Sequence, residues 1–162
     1  MNSTATNFTG TLEVNGDLEW NRKAWGQMTY HNDTTPITVA ITDNTRHFPI
    51  TGMNNSLAKE VTSNTTHFTI KHTGTYRIGA SVSFGGNANQ EYQMSILRNA
   101  TSLTYCEAHR KMGTGGDVGN AGINCLYNLV QGDKLAIGIQ DETLPVASAS
   151  VYSVHFNIER ID

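Results

Sequence analysis

The residues of this 162-residue chain whose chemistry goes beyond packing are six histidines, two cysteines and a few acidic positions. The histidines are scattered. His67 and His72 straddle one predicted strand and would point to opposite faces, which disfavours a shared metal. Asp33, Asp43 and Asp141-Glu142 fall in predicted loops, and none shows the dense alternating-oxygen spacing of a calcium loop. A His-Glu-x-x-His pair, a nucleophile elbow and a phosphate loop are all missing. Gly113-Thr-Gly-Gly116-Asp-Val-Gly119 is Gly-rich but has no Lys-Ser/Thr to hold phosphate and metal. It reads as a hairpin tip where Gly supplies positive φ, with an adaptable contact loop as the functional alternative. Paired carboxylates for glycosidic hydrolysis are not identifiable. The expectation is a protein with no catalytic centre, no cofactor and no metal: not an enzyme.

Cys106 and Cys125 are equidistant from the Gly115-Gly116 step. A hairpin folding there sets them opposite each other, close enough to oxidise as a non-hydrogen-bonded pair. Two readings stay open, a disulfide or two small buried side chains in a reducing compartment. The second is favoured because free Cys is so often buried. Six Asn-x-Ser/Thr sequons begin at Asn2, Asn7, Asn32, Asn54, Asn64 and Asn99, as a chain rich in Asn and Thr produces by chance. Met1-Asn2-Ser3-Thr4 lacks the basic and apolar regions of a signal peptide, so secretion by that route is not expected.

The elements that must position these residues are strands. Apolar residues make up 38% of the chain and charged residues 15%, a balance that fits a β protein with uncharged polar outer faces. The length suits one domain burying roughly 70% of its unfolded surface. A net charge of −3, with no basic cluster larger than Arg110-Lys111, argues against nucleic acid as a partner. No apolar run approaches the roughly 18 residues of a spanning helix, so no membrane partner is expected.

Tyr76, Ile78, Ala80, Val82 and Phe84 alternate with Arg77, Gly79, Ser81 and Ser83, the period of a half-buried strand. Shorter segments precede it at Ala24–Tyr30, Ile37–Ile41 and His67–His72, with one helical turn expected around Leu57–Val61. Tyr92, Met94 and Ile96 follow, then an Asn99-Ala100 turn. Leu103–Met112 and Val118–Val130 are expected as the arms of a long hairpin. Leu135, Ile137 and Ile139 come after Gly132-Asp133, and Tyr152, Val154, Phe156 and Ile158 alternate in the last strand. Ile123, Cys125, Tyr127 and Leu129 occupy one face of their strand, while Leu126 and Val130 lie on the other. A strand apolar on both faces is covered on both, here by a loop or, preferably, a neighbouring subunit.

Residues 1–22 form a separate unit. Asn15-Gly16 is a hairpin signal, yet a turn there would pair Val14 with Asp17 and Leu12 with Glu19. An extended arm fits better, with Leu12, Val14, Leu18 and Trp20 packing on other copies or on another protein. It resembles the Gly-punctuated repeats of trimeric phage-fibre shafts. The rest, 23–162, is the head domain.

The order of segments in the head resembles the tumour-necrosis-factor-like jelly rolls, most closely the globular-head domain of the first complement component. The residues that carry the likeness are Gly74-Thr-Tyr76-Arg-Ile78, Ile96-Leu-Arg-Asn99, Leu129-Val-Gln-Gly132-Asp133-Lys-Leu135 and the final Val151-Tyr-Ser-Val-His-Phe156-Asn-Ile158. The resemblance implies an all-β antiparallel jelly-roll sandwich, and a compact homotrimer with one face around the threefold axis. The candidate trimer interface is Leu126, Tyr127, Val130 and His155. Three copies of His155 at an axis offer an ion site, although a hydrogen-bonded polar residue is the favoured reading. Some jelly rolls of this superfamily bind calcium through separate loops, a route that the missing local motif leaves open. Head and arm together look like bacteriophage virion proteins. The first expectation is a trimeric capsid decoration, or cement, protein on the virion surface, assembled in the host cytoplasm. Its arm would dock the major capsid protein or another virion protein. The alternative is a fibre tip binding a host surface glycan or receptor, with loops Asn87–Tyr92 and Gly113–Asn120 as the contacts.

Overall fold

The computed structural model describes residues 23–114 and 117–162, with Asn55 described by its backbone alone. The predicted arm, with Leu12, Val14, Leu18 and Trp20, lies outside the described residues. Within them the chain is all-β, in two antiparallel sheets. The strands are β1 (Trp25–His31), β2 (Ile37–Val39), β3 (Phe48–Pro49), β4 (Asn55–Lys59), β5 (Val61–Ser63), β6 (His67–Ile70), β7 (Gly74–Gly85), β8 (Glu91–Arg98), β9 (Thr101–Lys111), β10 (Val118–Leu129), β11 (Lys134–Asp141) and β12 (Ala149–Arg160). The first sheet runs β10-β7-β12-β1-β4, with β2 beside β12. The second runs β5-β6-β11-β8-β9, with β3 beside β11. This is an antiparallel jelly-roll β-sandwich.

The period-two alternation decides what lies between the sheets. Tyr76, Ile78, Val82 and Phe84 of β7 are buried, as are Leu135, Ile137 and Ile139 of β11. Two aromatic pairs tie the layers together. Phe156 of β12 meets Phe68 of β6 with ring centroids 5.0 Å apart, and Phe84 of β7 meets Tyr92 of β8 edge-on at 5.7 Å. Each pair adds about 0.5–1.5 kcal/mol beyond its buried area. Gly26 of β1 makes room for the first pair, since a Cβ there would stand 2.5 Å from the Phe68 ring.

Three local expectations are corrected. Leu57–Val61 is not a helical turn: β4 ends at Lys59, Glu60 takes a left-handed φ of 55°, and Val61 opens β5 in the other sheet. Four-residue spacing of Leu57 and Val61 imitates a helix, but here it spans a turn between layers. Tyr152 is not a core residue. A register shift between Val151 and Ser153 leaves it out of the ladder, and the buried pair becomes Val151 and Val154.

The third correction concerns Leu103–Met112 and Val118–Val130. They are not a hairpin. β9 is the edge of the second sheet, paired with β8, and β10 is the edge of the first, paired with β7. Cys106 and Cys125 are joined by a disulfide with Cα atoms 5.8 Å apart. Their symmetric placement about Gly115-Gly116 does bring them together, but across the layers. The bond is a staple between sheets at one side of the sandwich. Arg110 of β9 reinforces the same side, reaching over Gly119 of β10 to Asp117 at 2.9 Å.

Candidate functional site

The two sheets turn different chemistry outward. On the first sheet, cross-strand register sets the outer rows residue by residue. One row reads Leu126, Arg77, Glu159, Trp25 and Lys59; the next reads Asn124, Gly79, Asn157, Gln27 and Leu57; a third places Gly122, Ser81, His155 and Thr29 side by side. Most of these side chains are uncharged, and the charge lies in the first row, as the Arg77–Glu159 pair at 3.2 Å and Lys59. Among them Leu126 is 59% exposed, Leu57 65% and Trp25 38%.

The predicted interface residues divide on this frame. Leu126 and His155 both sit on the outer face, two rows and two strands apart. Val130 is 48% exposed just beyond the end of β10. Tyr127 is turned the other way and packs against the core, on the side of Ile123 and Leu129. It borders a hollow of about 510 Å³ over the disulfide, together with Tyr105, Arg98 and Leu126. Strand parity already grouped Tyr127 with Ile123, so it is not in the outer row that holds Leu126, and the two meet only at that hollow.

The second sheet carries a groove of about 610 Å³ on its outer face. Leu97, Ala136 and Pro49 give it an apolar floor with Ala100 at its edge, and Arg46, His47, His67 and Lys134 bring basic groups to it. Register explains the assembly, since His67 of β6 lies opposite Ala136 of β11, and Pro49 opposite Gly138. Burial holds the His67 imidazole below its usual range, and the neighbouring Lys134 adds to the effect. Burial also pulls His47 down, against the charges of Glu107 and Glu142 and the hydrogen-bonding side chain of Gln93.

Asp133 anchors one end of the groove. It is 3% exposed. Its carboxylate accepts the Val130 amide at 2.9 Å and the Asn99 side-chain amide at 2.8 Å, with Arg98 Nε also 2.9 Å away. Burial would raise its pKa, but those partners together hold it below the usual carboxylate value. Gly132, at φ 94°, supplies the turn that presents it. Asn99 in turn accepts the Lys134 amide at 2.9 Å, so the Gly-Asp signal and the Asn-Ala turn are two halves of one lock.

A third group was not visible in the sequence. Glu91 opens β8, His109 lies on β9 and Glu142 follows β11, and their ligand atoms all fall within 4.8 Å of one another. His109 Nδ1 is 3.0 Å from Glu142 and 4.0 Å from Glu91. Two strand pairings assemble it: β8 with β9 sets Gln93 opposite His109, and β8 with β11 sets Tyr92 opposite Asp141.

The two-sheet sandwich and its strand order are those of a tumour-necrosis-factor-like jelly-roll fold. Among solved structures it is similar to Eiger TNF from S. frugiperda, with a TM-score of 0.61 at 10% identity over 87% of this chain and 94% of that one. It is also similar to murine APRIL at pH 5.0, with a TM-score of 0.59 at 13% identity over 86% of this chain and all of that one. The likeness is one of fold. No protein-family model matches the sequence, and neither does any curated protein.

Proposed function

We propose that the chain is a non-enzymatic, homotrimeric virion protein that decorates and cements a bacteriophage capsid. The head packs about a threefold axis through the outer face of the first sheet, and residues 1–22 dock the major capsid protein or another virion protein. The observation that supports the head's role is the uncovered Leu126: no described loop covers it, its cross-strand neighbour Arg77 is paired with Glu159, and the next row along the strands is uncharged. The jelly-roll resemblance and the fibre-like pattern of the arm support the virion setting. The mechanism is avidity. Three weak arm contacts on one rigid trimer hold far more firmly than one, and the added contacts brace neighbouring capsid subunits.

Native mass spectrometry of the full chain, and of a shortened chain beginning at Ala24, tests this with and without purified capsids. Trimers of both, with capsid binding confined to the full chain, are expected. Leu126→Asp should give folded monomers. A monomeric full-length protein sinks the trimer, and trimers that ignore capsids sink the decoration role.

The groove on the second sheet favours a second reading, a receptor- or glycan-binding head. Its basic rim and apolar floor suit an acidic sugar. Binding to sialylated or uronate-bearing glycans that is lost in Lys134→Glu would carry that reading instead.

A further inference from the structure

The group formed by Glu91, His109 and Glu142 holds more acceptors than protons. His109 Nδ1 has a single N–H to offer. It serves Glu142 at 3.0 Å, while Gln93 Nε2 approaches the other ring nitrogen at 3.2 Å and is its donor. Glu91 Oε1, 4.0 Å from the same Nδ1, then has no donor among the described residues. Two carboxylates thus converge on one nitrogen that can satisfy only one of them. Glu107 adds a third negative charge nearby, felt by His47 together with Glu142 and His109.

The backbone holds the two carboxylates in place. The Glu142 amide donates to the Glu91 carbonyl at 2.8 Å, and the Glu91 amide donates to Thr143 Oγ1 at 2.9 Å. The buried carboxylate of Asp141 fixes the following loop through the amides of Thr143 at 2.9 Å and Ala147 at 2.7 Å. The three side chains are between a third and a half exposed, so an ion can reach them from solvent.

From this geometry we propose that Glu91, His109 and Glu142 bind one borderline first-row divalent cation, with Zn²⁺ as the reference ion. An imidazole nitrogen with two carboxylate oxygens suits such ions, whereas Ca²⁺ and Mg²⁺ take oxygen ligands. Ligand atoms around a tetrahedral zinc stand about 3.3 Å apart, so small side-chain rotations close the present spacing. Binding moves the His109 proton from Nδ1 to Nε2, and Gln93 turns its amide to present oxygen to the new N–H. The fourth position is left to water or to an anionic group of a partner.

Isothermal titration calorimetry of the full chain with Zn²⁺, Ca²⁺ and Mg²⁺ tests the site, with Co²⁺ absorption reporting the geometry. One Zn²⁺ per chain is expected, undisturbed by equimolar Ca²⁺ or Mg²⁺. His109→Ala and Glu142→Gln should each weaken binding at least about tenfold, and Gln93→Ala by about 10- to 100-fold. Glu142→Gln keeps the side chain's shape, so it carries the test should His109→Ala fold poorly. Absence of Zn²⁺ binding overturns the proposal, as does binding unchanged in both ligand variants or displaced by equimolar Ca²⁺.

Discussion

The inner faces of the two sheets are alike, both apolar and both closed by aromatic pairs that cross the gap. Their outer faces are not. The first presents Asn, Ser, Gly and Thr around Leu126, Trp25 and Leu57, with its charge gathered in one row as the paired Arg77 and Glu159 and, further along, Lys59. The second gathers Arg46, His47, His67 and Lys134 around a groove, and Glu91, His109 and Glu142 beside it. A surface of mostly uncharged side chains suits contact with another protein over a wide area, because few charges must be desolvated. Convergent charged groups suit a small ligand or an ion. One sandwich therefore turns two kinds of surface outward, and the shared core keeps them in fixed relation.

The strongest way to break this arrangement is to remove what the faces share. Phe156→Ala deletes the ring that meets Phe68 between the layers, and should cost about 3–5 kcal/mol in urea-induced unfolding. Oligomer formation and groove binding should fail together along one unfolding curve. Separate transitions for the two faces would show that the sheets are not one cooperative unit.

Next comes the staple. Cys106→Ala with Cys125→Ala opens a link between residues 19 positions apart, for which chain-entropy reasoning expects a loss of about 3 kcal/mol. The damage should be local as well as global. Hydrogen exchange should quicken in β9 and β10 more than in β1 or β6. Uniform quickening would mean that the bond acts only on the unfolded chain.

The disulfide also shows how much of the fold was legible. Alternation in Tyr76–Phe84 and Leu135–Ile139 announced inward and outward residues, because strand parity is a property of the backbone. Gly132-Asp133 and Asn99-Ala100 announced turns. What alternation does not carry is which edges face each other across the core. The spacing of Cys106 and Cys125 looked like rungs of a hairpin, and it is a bridge between layers. The groove and the Glu91–His109–Glu142 group were hidden for the same reason, since their residues come from strands brought together only by sheet order. Leu126 was legible as an exposed apolar residue, but Tyr127 was grouped with it against its own parity.

Acidification should sharpen the contrast between the faces. Burial depresses the pKa of both His47 and His67 in the folded protein. The unfolded chain then binds more protons below about pH 6.5, so this part of the stability is complete above that pH and falls away as pH drops towards the folded values. Unfolding free energies between pH 7.5 and 5 should decline, by less than the staple is worth. His47→Gln with His67→Gln should flatten that decline without altering the oligomer. A slope that survives the double variant would place the titrating groups elsewhere.

The smallest effect is confined to the rim of the groove. Asn99 and Ala100 both take left-handed φ angles, 51° and 69°. Asn is tolerant of that region, and here its side chain is also held by Asp133 and the Lys134 amide. Ala has no such compensation and meets its own Cβ penalty, which glycine would remove. Ala100→Gly gives back part of the gain by loosening the unfolded chain, leaving a net stabilisation of roughly 0.5–1 kcal/mol. The side chain removed is a single methyl at the edge of the groove, and the first sheet lies on the far side of the core. Raised stability with an unchanged oligomer and unchanged ligand affinity would place the strain in the turn alone. A change in ligand affinity would mean that the turn's tight geometry shapes the groove, and that the second face holds strain as part of its binding surface.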